Sequence, residues 1–142
     1  MPARVLHAGD AYWRRSNQMG VLNTDVGKQL EAQSLAARLW RLEPGQASTR
    51  HQHFTQTELY VVLEGTGRMR IGDDEDALTL ATHSCVIVEP DTVRQVFNDT
   101  DADALWFVVG TPPEFANTLE MTAEQLAHLY PDGPKALPPE LA

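Results

Sequence analysis

Short apolar runs alternate with turn-forming residues between positions 34 and 110. Most of these runs are followed within two residues by Gly, Pro, Asp or Asn, which favour tight turns. The segments expected to form strands are 34–42, 59–63, 68–71, 77–80, 85–88, 95–97 and 105–109. Because no helical pattern separates these runs, the sequence predicts an all-β domain, built as an antiparallel sandwich or barrel.

The regions on either side of these runs have a different pattern. Six of the nine prolines follow residue 111, so we expect the sheet to end near Gly110. Thr122 and Gln125 have the spacing of a helix-capping pair, which predicts a short helix within a tail over 111–142. The segment 1–33 is expected to be an N-terminal extension with possible edge strands, one of them over 4–7.

Composition and charge exclude several classes of function. The chain of 142 residues has 11 Lys and Arg against 20 Asp and Glu, a net charge of −9. This balance argues against nucleic acid or an anionic membrane as a partner, because both require a concentrated positive field. The first ten residues lack the apolar centre of a secretory signal, and a single cysteine, Cys85, permits no internal disulfide, so we expect a cytoplasmic protein.

Two further expectations concern side-chain exposure. Cys85 begins an apolar run and is therefore expected to be buried and unreactive. Arg38 and Arg41 alternate with apolar residues on a predicted strand, and we expect such arginines to face mostly solvent, although Arg41 could equally point inward.

Two histidines and a glutamate are the candidate metal ligands. His51 and His53 are two residues apart, so on a strand their imidazoles point to the same face. Glu58 lies five residues after His53 and joins them only if residues 54–57 form a turn. A pair of surface histidines would show the same pattern. With the carboxylate, however, two imidazoles form a site suited to Fe, Mn, Ni, Zn or Cu.

The spacing of Gly45, His51, His53, Glu58 and Gly65 resembles the first motif of the cupin superfamily. The resemblance covers roughly residues 34–110. It implies a double-stranded β-helix, that is, a jelly-roll barrel, with a divalent transition metal near its middle. It also implies that His51, His53 and Glu58 are the metal ligands.

The second motif of that superfamily is only partly present. Asn98 matches it, whereas His83, Glu89 and Asp91 replace a Gly, a Pro and a Gly. Arg94 stands where the family has a fourth metal ligand, a histidine. A guanidinium has no lone pair for a metal. Arg94 could leave a three-ligand site, repel a cation, hold an anionic substrate, or pair with Glu58 in the absence of metal.

Two functions follow from these residues. The first is a metal-dependent enzyme, dioxygenase-like or isomerase-like, that acts on a small anionic molecule inside the barrel. Arg94 and Tyr60 would contact the substrate, and no residue is identified as the catalytic acid or base. The alternative is a non-catalytic module that binds a small molecule with weak or no metal, with Arg94 paired to Glu58 or the ligand. The family resemblance also implies a homodimer.

Overall fold

The protein is described by a computed structural model that covers residues 2–114 and 119–142. The strands are β1 (Trp13–Arg15), β2 (Leu22–Asp25), β3 (Ala36–Leu42), β4 (Thr57–Glu64), β5 (Gly67–Ile71), β6 (Leu78–Leu80), β7 (Cys85–Val88), β8 (Arg94–Phe97) and β9 (Ala104–Thr111). The helices are α1 (Val26–Gln29) and α2 (Ala123–Leu129), and a 3₁₀ turn covers Ala8–Asp10. None of the helices in these ranges has the length and apolar character needed to cross a membrane.

The described strands form two antiparallel sheets. The larger sheet has six strands in the order β1-β2-β3-β9-β4-β7, and the smaller has three in the order β6-β5-β8. The chain passes repeatedly from one sheet to the other, because β4 and β9 are in the larger sheet whereas β5 and β8 are in the smaller one. Residues that are distant in sequence therefore meet between the sheets.

Alternation along the strands separates a buried face from an outer face. In β9, Ala104, Trp106 and Val108 are buried, whereas the residues between them are partly exposed. Their apolar side chains pack between the sheets with buried residues of both. The members of this core cluster are Val21, Leu42, Tyr60, Val62, Met69, Val88, Val96, Ala104, Trp106 and Val108. The core thus lies where period-two patterning places it.

The predicted strands between positions 34 and 110 agree with the observed ones to within one or two residues at each end. The prediction of a strand over 4–7 is wrong, because the first strand begins at Trp13. The N-terminal region instead contributes β1 and β2, which extend the larger sheet beside β3. The prediction that Cys85 is buried is also wrong. Cys85 is exposed because β7 is an edge strand whose alternate residues, Val86 and Val88, turn towards the other sheet.

The tail after β9 packs back onto the sheets. The capping box predicted for α2 is present, with Thr122 accepting from the backbone N–H of Gln125 and the Gln125 side chain accepting from that of Thr122. Farther along, the Gln95 side chain donates to the carbonyl of Ala136 at 2.9 Å, and Arg70 pairs with Glu140 at 2.5 Å. The division of the chain at residues 33 and 110 stays a prediction.

Candidate metal centre

His51, His53 and Glu58 converge between the two sheets. His53 Nε2 lies 3.1 Å from Glu58 Oε1, and His51 Nε2 lies 3.6 Å from the same oxygen. Potential ligand atoms of all three residues lie within 4.8 Å of one another. Each side chain is at most 11% exposed. Two imidazole nitrogens and a carboxylate oxygen, which are ligand types that transition metals such as Zn and Fe accept, therefore meet at one buried position.

The path of the backbone explains this convergence. His51 pairs with Arg94 of β8, with backbone N–O distances of 3.0 and 2.8 Å, so the histidine segment runs along the smaller sheet. The chain then bends at Phe54 and Thr55 and enters β4 of the larger sheet. The turn that Glu58 requires is thus present. It brings the carboxylate to the histidines by carrying the chain from one sheet to the other.

Hydrogen bonds at the far side of each ring orient the imidazoles. His51 Nδ1 lies 3.0 Å from the carbonyl oxygen of Thr49, and His53 Nδ1 lies 2.9 Å from Glu114 Oε2. Both partners only accept, so each Nδ1 must carry the proton and, in the neutral ring, Nε2 has the free lone pair. This arrangement, in which a carbonyl or carboxylate holds the far nitrogen, is typical of metal-ligating histidines.

Glu114 is a residue of this centre that the sequence did not predict. Its carboxylate accepts from the backbone N–H groups of Thr55 and Gln56 and from the Thr55 hydroxyl, in addition to His53. Burial opposes ionisation, but these hydrogen bonds outweigh it and lower the pKa of Glu114 to about 2. Glu114 therefore remains a carboxylate that can hold the His53 proton throughout the neutral range. Nothing local in the sequence marks it, since it lies 61 residues from His53.

Gln56 connects Glu114 to the sheet. Its side-chain oxygen accepts from the backbone N–H of Glu114 at 3.0 Å, and its nitrogen lies 3.3 Å from His53 Nε2. The side chain lies against Gly110, where a Cβ atom would overlap the Gln56 carboxamide. Gly110 is directly opposite Glu58 in the pairing of β4 with β9. The absence of a side chain at position 110 therefore provides the space for this connection.

Tyr60 and Arg94 approach Glu58 from the buried side. The Tyr60 hydroxyl donates to Glu58 Oε1 at 2.8 Å, and burial raises the pKa of Tyr60 well above its ordinary value. The Arg94 guanidinium is fully buried, with Nε 3.9 Å from the same oxygen. Its Nη2 donates to the carbonyls of Val88 and Glu89, whereas Nε and Nη1 have no hydrogen-bond partner among the described residues. A buried positive charge thus occupies the position beside Glu58.

The protonation states at the centre follow from these contacts. Burial would raise the pKa of Glu58, but hydrogen bonds and charge interactions with His51 and His53 outweigh it and hold that pKa well below its usual range. Burial would likewise lower the pKa of His53, yet its contacts with Glu58 and Glu114 raise it overall. Without a metal, the two carboxylates therefore make His53 easier to protonate than a free imidazole, and a bound cation would compete with a proton on Nε2.

An open cavity of about 1130 Å³ leads to this centre. His51, His53, Glu58 and Glu114 lie at its lining, and residues of β2, β3 and α1 form another wall. Tyr60 and Arg94 are not among the described residues that line it. The structure therefore brings all five predicted site residues to one place, but it puts the three proposed ligands at the cavity and the other two behind Glu58.

The residues present fit a divalent transition metal. In His51 and His53 the hydrogen-bond partner of Nδ1 keeps the proton there, so the Nε2 lone pair can bind a metal, and the Glu58 carboxylate is ionised. The set of two imidazoles and one carboxylate matches a metal site with open positions for other ligands. The Arg94 charge opposes binding of a cation but supplies no ligand, so it weakens the site without changing its donor set.

Comparisons with known proteins agree with this architecture. The family model described as Cupin domain matches residues 38–110. A sugar phosphate isomerase from a cupin superfamily, from Silicibacter pomeroyi DSS-3, is 28% identical over 78% of this chain and 76% of its own, with a TM-score of 0.69.

Two further solved structures show the same fold. The first is a putative sugar phosphate isomerase from Acidithiobacillus ferrooxidans ATCC 23270, with 20% identity, coverage of 75% of this chain and 74% of its own, and a TM-score of 0.64. The second is a predicted oxalate decarboxylase from Thermotoga maritima, with 14% identity, coverage of 78% and 100%, and a TM-score of 0.66. Among curated proteins, none matches this chain.

The expected jelly-roll fold with a short C-terminal helix is confirmed by these neighbours together with the two-sheet architecture, although the strands within residues 2–114 and 119–142 do not close into a complete barrel. The family model also covers more than half of the 142 residues and includes His51, His53 and Glu58. The chain therefore belongs to the cupin family.

Proposed function

We propose that this chain is a metal-dependent enzyme that isomerises a small anionic organic molecule, with oxygenation as the second reaction type that the same ligand set supports. The observation that carries the proposal is the convergence of two oriented imidazoles and an ionised carboxylate at the buried end of an open cavity. A divalent metal bound there would polarise a carbonyl or hydroxyl oxygen of the substrate.

The residues of the chain have distinct tasks in this proposal. His51 and His53 offer Nε2, and Glu58 offers Oε1, as metal ligands. Glu114 keeps the proton of His53 on Nδ1, because its carboxylate stays ionised. Tyr60 holds Glu58 in place by donating to Oε1. The prediction that Tyr60 and Arg94 contact the substrate stays a prediction, since both contact Glu58 in this structure.

The preference for isomerisation rests on chemistry and on one neighbour. Moving a proton between neighbouring carbons of a hydroxy-carbonyl compound needs no co-substrate, whereas oxygenation requires dioxygen. The Silicibacter pomeroyi protein, a sugar phosphate isomerase, has the highest identity among the structures compared above. We therefore take phosphorylated sugars as the first class of substrate to be tested on this chain.

Elemental analysis of protein purified without chelator tests the proposal. We expect about one transition metal per chain, lost in the variants His51→Ala and His53→Ala and retained in His7→Ala, which removes an exposed histidine. Metal-loaded protein is then incubated with aldose and ketose phosphates, and their interconversion is followed by NMR. Clearly substoichiometric metal that cannot be increased by loading would contradict the proposal.

One observation favours the non-catalytic alternative. Arg94 Nε lies 3.9 Å from Glu58 Oε1, within the distance of an ion pair, and its guanidinium is fully buried. In this alternative the ion pair replaces the metal, and the cavity binds a small molecule without converting it. Arg94→His would then bind metal much more tightly than the natural protein, and equal binding by the two proteins would count against the alternative.

We further propose that the outer face of the larger sheet pairs with a second copy of the chain. Leu59 and Ile87 are cross-strand neighbours on this face and are 37% and 63% exposed. Val61, Phe107 and Val109 adjoin them in register, so the apolar side chains form a continuous patch. Contiguous apolar surface of this kind marks interaction sites in stable proteins.

Light scattering after gel filtration measures the association. We expect a dimer for the natural protein and a monomer for Ile87→Lys, because a charge would be buried in the interface. Val5→Lys changes an apolar residue that is 75% exposed outside the patch, and should remain a dimer. A natural protein that is monomeric at all concentrations would show that the face does not pair.

A further inference from the structure

We infer that Arg38 forms a phosphate subsite in the cavity, on the wall opposite the histidines, and holds the anionic end of the substrate. This inference rests on the proposed function, because it specifies the part of the substrate that the metal centre does not contact. The wall consists of the inner faces of β2 and β3 and of α1, and it contributes Asn23, Asp25, Lys28 and Arg38 to the cavity lining.

The register of the sheet places Arg38 on the inner face. Arg38 lies directly opposite Val108 of β9, and Val108 lies opposite Tyr60 of β4. Val108 and Tyr60 are buried core residues, so Arg38 belongs to the same face as Glu58, which is two residues before Tyr60. The side chain is 43% exposed, as expected for a solvent-facing arginine, but the solvent it meets is that of the cavity.

The distance suits one small substrate. Strands β3 and β4 are separated only by β9, which puts their backbones roughly 10 Å apart at ordinary strand spacing. The arginine side chain shortens the remaining gap. A short phosphorylated sugar is of this size, so it could place an oxygen-bearing end at the centre beside Glu58, which lies on β4, and its phosphate at Arg38 on β3.

The guanidinium is held ready for a ligand. Nη1 donates to Asn23 Oδ1 at 2.9 Å, and Nη2 lies 2.9 Å from Asp25 Oδ2. Asn23 is itself only 4% exposed and is fixed by its bonds to the carbonyls of Arg14 and Val21. These contacts use two of the five N–H donors of the arginine, and the remaining N–H groups of the planar guanidinium can donate to a phosphate.

The local charge also favours an anion. Away from the histidine centre, the described lining carries four cationic and two acidic side chains, namely Arg4, Arg14, Lys28, Arg38, Asp25 and Glu31. The chain as a whole has a net charge of −9 and only 11 Lys and Arg. More than a third of the cations thus lie around this cavity, where they would raise the local concentration of an anionic substrate.

A purely structural role for Arg38 is the competing explanation, because its pair with Asp25 also links β2 to β3. Arg41 provides the matched control. It lies on the same strand but on the outer face, and it too has acidic partners, Glu64 at 3.4 Å and Asp103 at 3.7 Å. Substituting either arginine by glutamine removes one charge and one ion-paired side chain from β3.

Titration calorimetry with inorganic phosphate, on chelator-treated protein, tests the subsite. We expect Arg38→Gln to weaken phosphate binding about tenfold or more, since a charge-assisted pair of hydrogen bonds is lost. Arg41→Gln should bind within about twofold of the natural protein, and Arg38→Lys should lie between them because it keeps the charge without the fork. Urea unfolding of each variant reports stability separately.

Equal phosphate binding by Arg38→Gln and the natural protein would overturn the inference, as would the absence of phosphate binding by the natural protein at millimolar concentrations. If Arg38→Gln does not fold, it is replaced by Arg38→Lys and by Arg14→Gln, which removes another cation of the cavity lining. Unchanged phosphate binding by both of these variants would equally overturn the inference. The metal content of each variant is measured in parallel. If phosphate binding depends on Arg38 but the protein cannot be loaded with metal, the proposed enzyme is contradicted and the subsite is not. If the protein binds metal but phosphate binding does not depend on Arg38, only the subsite is contradicted.

Discussion

Replacing Arg94 with methionine removes a buried positive charge beside Glu58 while retaining an unbranched side chain of comparable length. At 3.9 Å and an effective dielectric constant of 20, the charge pair contributes about 4 kcal/mol of attraction. Against this stands the cost of burying the guanidinium, which is several kcal/mol and is poorly offset because Nε and Nη1 have no hydrogen-bond partner among the described residues. Glu58 keeps its contacts with His51, His53 and Tyr60. The free energy of unfolding should therefore change by less than about 2 kcal/mol.

Metal affinity should change much more than stability. A divalent ion on Glu58 Oε1, at a bond length of about 2.1 Å, would lie within about 6 Å of Arg94 Nε, where the repulsion is at least about 5 kcal/mol at the same dielectric constant. Even a quarter of that repulsion corresponds to a tenfold difference in affinity. We therefore expect Arg94→Met to bind Zn²⁺ at least tenfold more tightly than the natural protein.

Competition with a chromophoric chelator measures this difference, and two further variants separate charge from ligation. Arg94→His removes the charge and adds an imidazole, so it should bind more tightly than Arg94→Met. Arg94→Lys keeps the charge and should resemble the natural protein. If Arg94→Met and the natural protein agree within about threefold, the electrostatic reasoning is wrong. If Arg94→His is no tighter than Arg94→Met, position 94 is not a fourth-ligand position.

The remaining predictions concern Glu114 and Gly110. Glu114→Gln should lower metal affinity about 10- to 100-fold, because His53 loses its carboxylate partner, and unchanged affinity in the same chelator assay would contradict this. The pKa of Glu114 is about 2 in the folded protein against an ordinary 4.5, so its stabilisation of the metal-free protein is complete above pH 4.5 and is lost as the pH falls towards 2. The difference in unfolding free energy between the natural protein and Glu114→Gln, from urea titrations, should accordingly shrink below pH 4.5. It should also shrink above about pH 6.5, as His53, whose pKa Glu114 helps to raise, loses its proton. Gly110→Ala should cost about 1–3 kcal/mol of stability through overlap with Gln56, and the same substitution should cost less in a Gln56→Ala background.

Much of the scaffold was predictable because it depends on local patterns. Period-two alternation and turn residues predicted the strands between positions 34 and 110, since each strand has one face towards the core. The capping pair Thr122 and Gln125 predicted the start of α2 for the same local reason. At β7 the alternation was too short to separate a buried strand from an edge strand, and Cys85 was misplaced as a result.

The candidate site divides in a similar way. His51, His53 and Glu58 lie within eight residues of one another. Their spacing predicted that they meet if residues 54–57 form a turn, the family resemblance supported that interpretation, and the structure brings them together. Glu114 and Arg38 depend instead on which strands become neighbours. Contacts across 61 residues, or from one wall of a cavity to the other, arise from the order of strands in the sheets, and residue spacing carries no record of that order. One short segment of the sequence thus determined which residues are the candidate ligands. The residues that orient them, and those that charge the cavity wall, were determined only by how the strands are ordered and how the two sheets pack.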